Sequence, residues 1–108
     1  MKKTHTVRWT ETARDDLEAI ITYIARDHVD RALKILDRFR EEASELRAFP
    51  ERGRIVPELQ QHGIFTYHEI ITPPWKIIYR IEKKHVYVMA VIDSRRKLED
   101  ILLERFMR

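Results

Sequence analysis

No cysteine occurs in the chain, which excludes a disulfide framework and any thiolate metal site and makes a reducing cytoplasm the expected compartment. Glycine is almost as scarce. Both glycines and two of the prolines fall in one stretch, PERGRIVPELQQHG, residues 50 to 63, which reads as the single long irregular connection. No apolar run approaches the length that crosses a bilayer, and MKKTHTVRW leads into no apolar signal segment, so neither a membrane partner nor secretion is expected. His5, His28, His62 and His85 are scattered without the spacing of a metal motif, and no metal or cofactor is expected. Repeats and low-complexity segments are absent.

What remains is a chain of 108 residues, enough for one core and too short for two, so residues 1–108 form a single expected domain. Charged residues make up 36% of it, yet the apolar positions recur in periodic blocks, which argues for a folded chain over a disordered one. Lysine and arginine number 21 against 18 acids. The acids gather between Glu11 and Glu58 and again from Glu99 to Glu104, leaving Ile64 to Arg96 distinctly basic, a distribution compatible with a polyanionic partner.

Periodicity supplies the element order. THTVRW alternates as a short strand, with His5, Val7 and Trp9 on one side. In TETARDDLEAIITYIARDH the positions Ala13, Leu17, Ile20, Ile21 and Ile24 share a helical face, with Thr10 or Thr12 as N-cap. A second helix is expected from a cap at Asp30, burying Ala32, Leu36, Phe39, Ala43 and Leu46 and ending at Phe49-Pro50. IFTYHEII, WKIIYRIE and VYVMAVID then read as an antiparallel meander joined by TPP and KKH, and SRRKLEDILLERFMR as a closing helix. The expected fold is α+β: an N-terminal strand, an antiparallel helix hairpin packed on a small, mainly antiparallel four-stranded sheet, and a C-terminal helix. The hairpin covers one sheet face and leaves the other partly open.

This order, together with ARDDLEAIITYIA, FPERGRIVPEL, YHEI, WKIIYRI and VIDSRR, resembles the RelE/ParE family of bacterial toxins over essentially the whole chain. The resemblance implies a toxin neutralised by a cognate antitoxin protein. Some members cleave mRNA on the ribosome and others poison DNA gyrase, and the fold alone does not choose between them.

Metal-free RNA cleavage needs a base for the 2′-OH, cations for the phosphate and an acid for the leaving oxygen. Lys76 and Arg80 are four apart in a strand and share its open face, about 13 Å apart along the chain. They read either as phosphate ligands or as a solvated strand face. The resemblance places Lys76 where ribonuclease members usually carry arginine, and a lysine gives up the bidentate grip. It also matches Glu58 to the general base of some members. Read from the residues, Glu58 is equally a surface carboxylate or the partner of Arg54. One of Arg95 and Arg96 matches an arginine near the scissile phosphate, and Arg95 is taken as that one. Ribonuclease members often place histidine or tyrosine near the C-terminus, but DSRR and the last segment hold neither. His68 is the substitute acid, its ordinary pKa suiting proton transfer. Glu58, Lys76, Arg80, Arg95 and His68 are therefore the candidate catalytic set. The leading expectation is an endoribonuclease toxin with ribosome and mRNA as partners, and the alternative is a non-enzymatic gyrase inhibitor.

Overall fold

A computed structural model describes residues 4–96, 101, 104 and 105. The predicted closing helix lies almost wholly outside them. The elements are β1 Thr6–Trp9, α1 Glu11–Ala25, α2 Val29–Ser44 followed by a 3₁₀ turn Glu45–Arg47, β2 Arg54–Ile55, α3 Pro57–Gln60, β3 Tyr67–Thr72, β4 Trp75–Glu82 and β5 His85–Asp93. They build a five-stranded sheet in the order β1-β5-β4-β3-β2. β1 runs parallel to β5 and the remaining pairs are antiparallel. The expected sheet had four strands. The fifth, β2, is only two residues long and sits inside the proline- and glycine-bearing stretch, where period-2 alternation has no room to show.

Thr10 explains where α1 begins. Its hydroxyl accepts the Ala13 N–H at 3.2 Å and donates to the Val88 carbonyl at 2.8 Å, so one side chain caps the helix and fastens it to β5. α2 starts one residue before the expected cap: Asp30 lies inside the first turn, and His28 occupies the cap position without a side-chain bond. Ala32, Phe39, Ala43 and Leu46 are buried as the period requires, with Ile35 more deeply covered than Leu36.

The hairpin of α1 and α2 covers one sheet face. Phe39, Ile77, Tyr79, Val86, Val88 and Val91 form the centre of this core, with Trp75 and Ile81 packed against it. All four alternate positions of WKIIYRI are thus on the helix side. The opposite face is less open than expected, because Val56 and Leu59 of the 50–63 segment bury Ile78, Ala90 and Ile92 in a second, smaller core. α3 therefore sits as a lid over part of that face. No described helix is long and apolar enough to span a membrane.

Candidate functional site

β3 and β4 place their odd and even side chains on opposite faces, and the register Glu69↔Ile78 and Ile71↔Lys76 brings Glu69 and Lys76 to the face away from the helices. The Glu69 side chain is 0% exposed, with Lys76 Nζ 3.4 Å from its Oε1 and Arg54 Nε donating to its Oε2 at 2.7 Å. Glu58, in the first turn of α3, approaches the same ammonium at 3.7 Å. Two carboxylates and two cations thus form one chain, Glu58, Lys76, Glu69, Arg54. A phosphate entering there has to compete with carboxylates already in place, one of them fully buried.

The alternative reading of Glu58 as the partner of Arg54 is not met: Lys76 lies against Glu58, and Arg54 bonds Glu69. Glu69 and Arg54 were missed as site residues. Part of the signal was present: YHEI alternates, so Glu69 and His68 must face opposite ways, and the register then puts Glu69 on the Lys76 face.

His68 lies on the helix side, opposite Tyr79 across the strands and stacked on its ring, centroids 5.4 Å apart. Its Nδ1 is buried without a hydrogen-bond partner. Burial holds its pKa below the ordinary histidine value, partly offset by the negative charge of Glu51. Tyr79 is anchored from the irregular segment: the Gly53 N–H donates to its hydroxyl at 2.9 Å. Burial raises the Tyr79 pKa.

Arg80 shares the open face with Lys76 but leans toward the β4–β5 turn, with Nη1 3.1 Å from Glu82 and its guanidinium 5.1 Å from the Tyr87 ring centre. Arg95 stands in the turn after β5, where Asp93 receives its Nε at 2.9 Å and its Nη2 at 2.6 Å. That bond lowers the Asp93 pKa to about 2 and raises that of Arg95. Arg95 borders a cleft with Tyr23 and Ile24 of α1. Of the five candidate catalytic residues, the fold joins only Glu58 and Lys76 directly.

A second feature lies at the sheet edge formed by β1. Val7, Trp9, Leu17 and Ile21 floor a groove between this strand and the helices, and Arg8, Arg14 and Arg40 rim it. None of these guanidinium groups has a hydrogen-bond or ion-pair partner among the described residues.

No curated protein matches the chain by sequence. The ParDE toxin–antitoxin structure from P. aeruginosa superimposes with a TM-score of 0.70 at 18% identity, covering 85% of this chain and 98% of that one. The RelBE2 toxin–antitoxin complex of Mycobacterium tuberculosis gives a TM-score of 0.58 at 24% identity, covering 83% and 98%. Both show the fold. The family model for the ParE toxin of the type II toxin–antitoxin system parDE matches residues 7–98. Spanning that much of the chain, the match means that it belongs to the ParE toxin family of type II toxin–antitoxin systems.

Proposed function

We propose that this toxin acts in the cytoplasm by holding DNA gyrase through a protein surface, without cutting RNA. The observation that carries the reading is the dispersal of the would-be nuclease set. His68 stacks on Tyr79 on the helix side, Arg95 is held by Asp93 beyond β5, and Lys76 is bracketed by Glu58 and Glu69. No proton donor stands across from Glu58 and Lys76 among the residues expected to supply one. A toxin that works by occupancy needs none of these groups to converge.

Ribosome-associated mRNA cleavage keeps one supporting observation, the 3.7 Å approach of Glu58 to Lys76. One experiment separates the two. Purified gyrase and a translating ribosome with defined mRNA are each exposed to the toxin. Blocked supercoiling with accumulated cleaved DNA and intact mRNA is expected. Ribosome-dependent mRNA cuts that vanish in Glu58→Ala and Lys76→Ala would replace this reading with the nuclease one.

The cognate antitoxin is the second proposed partner. The β1 edge, unpaired among the described residues, the apolar groove floor and the arginine rim suit an extended aliphatic segment with flanking carboxylates. Charge reversal at Arg14 and Arg40 should weaken co-purification of the pair.

A further inference from the structure

The open sheet face is not uniformly charged. At its β3 end Lys76 and Arg54 are offset by Glu58 and Glu69. Toward the β4–β5 turn the balance changes. The registers Tyr67↔Arg80, Arg80↔Tyr87 and Arg8↔Tyr87 align one residue from each of four adjacent strands in a single row, Tyr67, Arg80, Tyr87, Arg8. Glu82 is bonded to this row through Arg80, and Arg8 has no partner among the described residues. The Arg80 Nε is buried with no acceptor, a donor left unspent within the fold.

Phenol hydroxyls and guanidinium groups are among the side-chain donors that proteins place on phosphate oxygens. The two arginines stand two strands apart, about 10 Å. The Tyr87 ring already has Arg80 over it at 5.1 Å and His85 beside it at 6.0 Å. Arg80 therefore occupies one face of this ring, which disfavours stacking on unpaired bases and favours contact with a backbone.

We infer that the row Tyr67, Arg80, Tyr87, Arg8 is a binding surface for the phosphate backbone of duplex DNA. The inference rests on the gyrase reading, since that enzyme presents a DNA duplex beside its own protein surface. The toxin would then touch both components of the enzyme–DNA complex, and its grip on DNA would be independent of base sequence.

The test is fluorescence anisotropy of the full chain with a mixed-sequence DNA duplex and, separately, a single-stranded RNA of equal length, over a range of salt. Duplex binding should weaken with salt with a log–log slope of about −2, as two displaced phosphate counterions require. Arg8→Ala and Arg80→Ala should each reduce the slope magnitude by about 1, whereas Lys34→Ala should not. Arg8 is exposed at the sheet edge, so its substitution tests the surface even if the Arg80 variant fails to fold. Absence of duplex binding, an unchanged slope in Arg8→Ala, or tighter binding to the RNA overturns the inference. Gyrase inhibition without duplex binding removes the row and leaves the proposed target. Salt-dependent duplex binding without gyrase inhibition removes the target and leaves the row.

Discussion

Replacing Lys76 by methionine tests whether the Glu58, Lys76, Glu69, Arg54 chain is structural. Glu69 is fully enclosed, and Lys76 supplies the cation 3.4 Å from an oxygen that has no hydrogen bond. Removing one member of a buried ion pair leaves the other charge uncompensated, typically costing 3–5 kcal/mol. Because Arg54 still bonds the second oxygen at 2.7 Å, the low end applies, about 3 kcal/mol. For a domain of this size that is a fall in Tm of about 15 °C. Glu69→Leu should cost less, about 1–2 kcal/mol, since Lys76 keeps Glu58 and Arg54 is 58% exposed and can turn to water. The double variant removes both charges and should lose about 2 kcal/mol less than the sum of the two single losses. Urea unfolding of the wild type, both singles and the double, with unchanged m, measures this cycle. Additivity within about 0.5 kcal/mol, or a Lys76→Met cost below about 1 kcal/mol, would refute the reasoning and return Lys76 to the role of a free anion ligand.

Four further outcomes follow from the geometry. A Cβ on Gly53 would lie 2.4 Å from the Glu69 carbonyl oxygen and 2.8 Å from the Tyr79 hydroxyl, so Gly53→Ala should cost about 2–3 kcal/mol in the same unfolding assay. Tyr79→Phe strands the Gly53 N–H that now bonds the hydroxyl and should cost about 1–2 kcal/mol, read as a shift in urea midpoint. His68 has a folded pKa below its unfolded value, so the unfolded chain binds more protons between the two. Stability should be complete above about pH 6.5 and fall as pH drops through that value toward the folded pKa. His68→Phe should flatten the dependence between neutral and mildly acidic pH, and an unchanged slope there would count against it. Asp93 titrates the same way in sign at lower pH, its depressed pKa of about 2 placing the loss below the ordinary carboxylate value. An NMR titration of the Asp93 carboxyl should show its midpoint rising in Arg95→Ala.

Much of the architecture was legible because it rests on long periodic runs. The stripe from Ala13 to Ile24 and the alternation from Trp75 to Ile81 each repeat often enough to define a face, and both faces are where the spacing puts them. The segment from Pro50 to Gly63 was not, because β2 and α3 are two and four residues long and carry less than one period apiece. The second core escaped notice for the same reason: Val56 and Leu59 look like isolated loop apolars until Ile78 is known to lie beneath them. At the site, strand parity already put Lys76 with Arg80 and His68 on the opposite side from Glu69. It could not say that Glu69 would claim the ammonium, since which side chains meet across strands depends on register. Arg95 was placed by likeness to a motif, and its capture by Asp93 depends on a turn whose path alternation does not encode.

The irregularity in β5 sets a rule for how this chain can change. β4 pairs Ile78 with Ala90 but Tyr79 with Val88, so Met89 is an extra residue in the strand. Upstream of it Val86 and Val88 serve the large core; downstream Val91 stays with that core while Ala90 and Ile92 serve the small one. The Val91 N–H, just past the irregularity, is taken by Asp16 of α1 at 3.0 Å. Met89 therefore switches the helix-facing positions of β5 from even residue numbers to odd ones. Substituting it should be mild, and deleting it should be tolerated as well: alternation from Val88 would then put Ala90 and Ile92 away from the helices and Val91 and Asp93 toward them, the faces they already occupy, so a change of count at this one position costs the strand its irregularity and not its faces.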